Sequence, residues 1–172
     1  NLHNNYPQIY EIISAVIQKN RKSWSSFLRK YHYRFDSLKE CFTSSGLLNQ
    51  NDYDEVENAV IGCYPLHPIS TFILPRLSEK VAQNERTLFT FLSSEDSYTL
   101  SAFLKKQQRE FCLLTPDYIY DYFEPLFRKE PYTSDVHRLY RLTSSVLRRV
   151  ENESLHSKIL KTLSLIYFIE QY

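Results

Sequence analysis

Apolar side chains recur every three to four positions along most of this chain, and no segment alternates cleanly, which constrains the fold more than any other feature. Behind Pro7, which suits a first helical turn, Ile9, Ile12, Ile13, Val16 and Ile17 mark an amphipathic helix over residues 7–19. Trp24, Phe27, Leu28, Tyr31, Phe35, Leu38 and Phe42 continue one stripe, which Gly46 is placed to terminate. A third stripe, Ile69, Phe72, Ile73, Leu77 and Val81, follows Pro68, with Pro75 set to kink it. After Gln83 and Asn84, which can cap, Leu88, Phe89, Phe91 and Leu92 define a further helix, and Leu100, Phe103 and Leu104 another over 97–107. Thr115-Pro116-Asp117 combines a cap, a first-turn proline and a dipole-compatible acid. It predicts a helix burying Ile119, Tyr122, Phe123, Leu126 and Phe127 that is bent or divided at Pro125 and ended by Pro131. Val136, Leu139, Tyr140, Val146, Leu147 and Val150 give one buried face, and Leu155, Ile159, Leu160, Leu163, Ile166 and Ile169 the last. The expectation is an all-α irregular bundle of about seven or eight helices with no sheet.

Gly46 and Gly62 are the only glycines, which excludes the glycine-rich loops of self-sufficient nucleotide-binding folds. At 172 residues the chain is long enough for a real core, and it reads as one helical domain, 1–172, with a subdivision at 1–62 and 63–172 as the alternative. No apolar run reaches the roughly 20 residues a membrane span requires. Cys41, Cys63 and Cys112 are odd in number and widely spaced, which suits a reducing cytoplasm and small buried side chains. The absent initial methionine and the apolar run Leu165-Ile166-Tyr167-Phe168-Ile169 suggest a fragment of a larger multidomain protein, with a missing neighbour for the last helix.

With 21 basic and 20 acidic residues the net charge is +1, so any electrostatic attraction must be local. Two basic faces qualify. Lys19, Arg21, Lys22, Arg29, Lys30 and Arg34 occur with no acid among them, and Arg138, Arg141, Arg148 and Arg149 share a sector opposite the apolar face of their helix. Each is a solvated helix face or a polyanion contact. Trp24, Phe27 and Tyr31 belong to the buried stripe, so they do not form a stacking platform. The acids Asp52, Asp54, Glu55 and Glu57 lack the glycine and spacing of a calcium loop. The five histidines pair with no Cys or His at ligand spacing, so no metal site is expected.

Residues 64–92 stand out. Tyr64-Pro65-Leu66-His67-Pro68 holds a histidine between two prolines, and Arg86 falls in a first helical turn, where the macrodipole disfavours a cation. A guanidinium near unsatisfied backbone N–H groups suits a phosphate; alternatively, Glu85 or Glu79 satisfies Arg86 and His67 caps a helix. Arg86, His67, Glu85 and Asn84 are therefore the candidate site residues.

Those strings, with Leu74-Pro75-Arg76-Leu77-Ser78, Gln83-Asn84-Glu85-Arg86-Thr87-Leu88-Phe89, the run from Leu114 to Phe123 and that from Ile159 to Tyr167, resemble the region following the nucleotide-binding core in large bacterial AAA+-like P-loop ATPases, including those of phage-defence islands. The resemblance covers about 64–172. It implies a helical lid or connector, with Arg86 acting as a sensor or finger arginine toward a nucleotide phosphate. The phosphate loop and the magnesium-binding acidic strand of such ATPases lie outside this sequence, so it holds no cofactor of its own, and ATP and Mg belong to an intact parent. The implied partners are the ATPase core and C-terminal domains of the same chain, with a homo-oligomer also open. The resulting expectation is a cytoplasmic, non-catalytic helical regulatory region that couples nucleotide state to neighbouring domains. The alternatives are a helical nucleic-acid-binding module and a protein-interaction scaffold.

Overall fold

The computed structural model describes residues 5–47, 52–82 and 85–170, and within that set the side chains of Ala82, Glu85 and Arg86 are not described. The described residues are all-α. The helices are α1 (Tyr6–Val16), α2 (Arg21–Ser44), α3 (Tyr53–Glu57), α4 (Pro68–Ala82), α5 (Glu85–Ser93), α6 (Leu100–Lys106), α7 (Pro116–Lys129), α8 (Asp135–Leu147) and α9 (Leu155–Glu170). A π-helical turn, Asn58–Gly62, continues directly from α3. No helix among the described residues is long and apolar enough to cross a membrane.

The chain forms two compact units, neither of them continuous in sequence. The first comprises Asn1–Phe72 and Gln107–Leu113, the second Ile73–Lys106 and Leu114–Tyr172. In the first, α1, α2 and α3 pack on the π turn, with Tyr10, Ile13, Phe35, Ala59, Val60 and Leu66 buried. Asn20 caps α2 by accepting from the Lys22 and Ser23 N–H groups, and Asp52 caps α3 through the Glu55 N–H. Gly46 follows α2 at φ +70°, the left-handed conformation that releases a helix end. The stripe expected along α2 is only partly sunk: Phe35 and Phe42 are buried, while Trp24, Phe27, Leu28, Tyr31 and Leu38 remain half-exposed. The helix also loses helical geometry at Tyr31 (φ −111°, ψ 16°), a break without a proline or glycine at that position to announce it.

In the second unit α7, α8 and α9 pack against one another, and α5 packs on α6. The start at Thr115-Pro116-Asp117 is where expected, although the Thr115 hydroxyl donates to the Asp117 carboxylate (2.5 Å) rather than accepting from the helix backbone. Neither internal proline divides its helix: α4 runs through Pro75 and α7 through Pro125. Pro125 is exposed, so the carbonyl it leaves unbonded can meet water. Helix α4 departs from its expected single stripe. The helix spans the boundary between the units: of its first-unit residues Ser70 and Thr71 are buried and Ile69 and Phe72 half-exposed, and of its second-unit residues Ile73, Leu74, Leu77, Ser78 and Val81 are buried.

The largest departure concerns α8 and α9. None of Val136, Leu139, Tyr140, Val146, Leu147 and Val150 is fully buried, and the side chains α8 sinks are His137 and Thr143. On α9 the buried side chains are Ser157, Ser164, Leu165 and Phe168, with the Phe168 ring 4.6 Å from Phe127 on α7. Small residues occupy the close approach between helices, so larger ones at neighbouring positions are displaced outward. Leu104 on α6, expected in the core, is likewise exposed.

Candidate interaction surface

Six side chains of the first unit form a continuous aromatic cluster. Trp24, Phe27, Tyr31 and Phe35 on α2 meet Tyr64 and Phe111, with neighbouring ring centroids 4.8–6.2 Å apart. Phe111 arrives on the returning segment 107–113. That segment is tied down by the Tyr64 hydroxyl, which accepts from the Cys112 N–H (3.2 Å), and by Glu110, which accepts from the Lys30 ammonium and from the Tyr31 hydroxyl (3.0 Å). These rings pack on one another, although Trp24, Phe27 and Tyr31, expected to be buried, stay half-exposed.

The cluster also reassigns the basic face on α2. Lys19 is turned inward. Its ammonium donates to the carbonyls of Gly62 (2.5 Å) and Ile17 (3.4 Å) and lies 5.2 Å from the Trp24 ring, so it caps helix ends while burial pushes its pKa down. Lys30 stands over Tyr31, and Arg34 over Tyr31 and Phe111. Arg21, Lys22 and Arg29 are left on the exposed surface, the first two in the first turn of α2, where the dipole opposes them. A groove of about 430 Å³ beside Lys19 is lined by Ser14, Trp24 and Gly62 among others. Its neighbour Cys63 is fully buried, and burial raises the thiol to about 12, which leaves it inert.

His67 is a helix cap. Its carbonyl accepts from the Thr71 N–H (3.0 Å) and its Nδ1 from the Ile69 N–H (3.1 Å). A backbone N–H can only donate, so Nδ1 carries the lone pair and Nε2 the proton, and burial lowers the pKa. The ring is thus a neutral acceptor. Arg86 and Glu85 fall in the first turn of α5, but their side chains, like Asn84 altogether, lie outside the described residues. His67 belongs to the first unit and the start of α5 to the second.

The second unit holds ionic pairs within and between its helices. Asp121 on α7 accepts from Lys161 on α9 at 2.7 and 2.9 Å. Desolvation raises the Asp121 pKa and Lys161 opposes that rise. Glu124 accepts from the Tyr140 hydroxyl and from Arg128, both at 2.6 Å. Asp121 thus joins α7 to α9, and Glu124 joins α7 to α8 through Tyr140. Lys80 donates to the Phe168 carbonyl near the end of α9. Among the described residues, no three His, Cys, Asp or Glu side chains converge as a metal site would require.

What remains open is the outer face of α8 and α9. Leu155 (70% exposed), Leu142 (61%) and Leu163 (56%) project into solvent, and Ile159 and Tyr167 are about half exposed. Between the two helices runs a groove of about 350 Å³ walled by Leu139, Leu142, Val146, Leu160, Leu163 and Tyr167. Its floor is the buried hydrogen bond between the Thr143 and Ser164 hydroxyls (2.7 Å), whose small side chains let the helices approach while the leucines form the walls. The apolar neighbour expected for residues 165–169 is thus partly α7, whose Phe127 ring meets Phe168, and Leu165 is buried as well. The surface needing cover lies elsewhere on the helix. Arg138, Arg141, Arg148 and Arg149 are all exposed on or just beyond α8, with Arg138 paired to Asp135 (2.9 Å) and Arg148 donating to the Ser144 carbonyl (3.3 Å).

Fold and surface together define a helical protein with an open apolar groove between α8 and α9. Compared with protein-family models, curated proteins and solved structures, the chain finds no match.

Proposed function

We propose that this chain is a non-catalytic helical connector that works by docking another protein segment, in the manner of the lid or connector region of the P-loop ATPases its sequence resembles. The observation that carries the reading is the apolar face of α8 and α9. A contiguous patch of large aliphatic side chains in solvent marks an interaction site, because water otherwise keeps a free-energy cost on each of them. The chemistry of the interior agrees with this. The one histidine flanked by prolines is a neutral helix cap, and the buried thiol is held protonated.

In a parent protein carrying the ATPase core, with ATP and Mg bound there, docking at this face would couple nucleotide state to neighbouring domains, and Arg86 would answer to the nucleotide phosphate. The test uses such a parent. Leu163→Asp should leave helicity unchanged, lower ATP turnover and weaken association with the neighbouring domain, whereas Arg86→Ala should lower turnover alone. Unchanged turnover and association in Leu163→Asp would remove the docking reading; unchanged turnover in Arg86→Ala would remove the sensor role.

A further inference from the structure

The occupant of the α8–α9 groove can be narrowed by shape and charge, and this step rests on the docking reading above. The groove is concave, with aliphatic side chains on both walls and a floor whose two hydroxyls satisfy each other. A concave apolar slot accepts a ridge of side chains, as a helix presents at i, i+3, i+4 and i+7. A planar base or a flat lipid surface would leave the inner walls of the slot uncovered.

Charge supplies the second constraint. Over residues 135–149 four arginines stand against one acid, Asp135. Arg138 lies one turn before Leu142, a residue that lines the groove, and both Arg138 and Arg141 are exposed. On α9 the exposed Lys158 adds to the same sign. A second copy docked by two-fold symmetry would bring an equally basic face onto this one, with like charges brought close.

From this we infer that the groove binds an amphipathic helix of another protein or domain whose leucine-type stripe enters between α8 and α9 and whose flanking acids meet the arginines of α8. The acids would contribute mainly to association rate and orientation, the apolar stripe to residence time.

The whole chain is titrated with three fluorescein-labelled synthetic 18-residue helical peptides, read by polarisation: a leucine stripe flanked by glutamates, the same stripe flanked by lysines, and a scrambled glutamate version. Vesicles of phosphatidylserine and a single-stranded oligonucleotide are tested alongside, and mass in solution is measured by light scattering. The expected result is saturable binding of the glutamate-flanked peptide, at least about tenfold weaker binding of the lysine-flanked one, and loss on scrambling. Leu163→Asp should abolish that binding, and the Arg138→Glu/Arg141→Glu pair should reduce it about tenfold while raising its affinity for the lysine-flanked peptide. Circular dichroism checks that each variant is folded. Equal binding of both flanked peptides, or preference for vesicles or oligonucleotide, overturns the inference. So does a dimer that Leu163→Asp dissociates, but such a dimer leaves docking at this face standing. Failure of every probe, together with an unaltered Leu163→Asp parent, overturns both readings.

Discussion

His67 offers a direct measure of what a helix cap contributes when the cap can be titrated. Its Nδ1 holds the Ile69 N–H only while the ring is neutral, and burial lowers its pKa below the ordinary value. The unfolded histidine, by contrast, titrates near 6.5. Above that pH neither state is protonated and the cap's stabilisation is complete. As pH falls below it the unfolded chain takes up the proton first, so stability declines until the folded pKa is also passed. Between pH 7.5 and 5.5 the loss assignable to this group is at most about 1.4 kcal/mol, one proton over one effective pH unit. For a chain of this length that corresponds to a fall of about 3–6 °C in melting temperature. His67→Asn keeps a side-chain oxygen able to accept at the cap but cannot titrate. Trp24 is the only tryptophan and lies in the same unit as His67, so its fluorescence follows the relevant unfolding. The melting temperature of the variant should therefore depend less on pH than that of the wild type, the other histidines cancelling in the comparison. Identical pH dependence in the two proteins would refute the account of His67 as a neutral cap.

Three other perturbations test the packing. Tyr64→Phe removes the acceptor of the Cys112 N–H and should cost about 1–3 kcal/mol by urea denaturation, with faster amide exchange at Cys112. Lys161→Met strands the half-buried Asp121 carboxylate between α7 and α9. Desolvation already raises the Asp121 pKa, so the variant's stability deficit should shrink as pH falls from 7 toward 4 and the carboxyl protonates; a deficit constant over that range would contradict the pairing. His137 is 6% exposed with both ring nitrogens unbonded and its ring 4.6 Å from Tyr132. His137→Phe keeps the aromatic contact, removes two unsatisfied polar atoms and should stabilise the protein by about 1 kcal/mol in thermal denaturation.

The fold class was legible because helix period and punctuation agree: Thr115-Pro116-Asp117 opens α7 and Gly46 closes α2 at the positions their chemistry indicates. Facial assignments on α4, α8 and α9 were less legible, because periodicity locates an apolar stripe without saying what will cover it. Ser157, Ser164 and Thr143 are buried by the closeness of helices, and Leu155, Ile159 and Leu163 are exposed for lack of a neighbour. Neither fact is local to the sequence. Lys19 illustrates the same limit: it counts as one of six surface cations until the fold brings the Gly62 carbonyl, 43 residues away, to its ammonium. The four arginines on or just beyond α8 needed no partner to be placed outside, and they are exposed as their sector predicts.

The return of residues 107–113 to the first unit restricts how this protein can be divided or inherited. Phe111 completes the aromatic cluster from beyond the whole of α4, α5 and α6, so a shortened chain ending at Phe72 would lose one of the six rings and the anchor that Glu110 offers Lys30. The second unit in turn is interrupted by the segment it lends out. A cut made in the chain between the first and second units would therefore separate Phe111 and Glu110 from the rings and the lysine they meet.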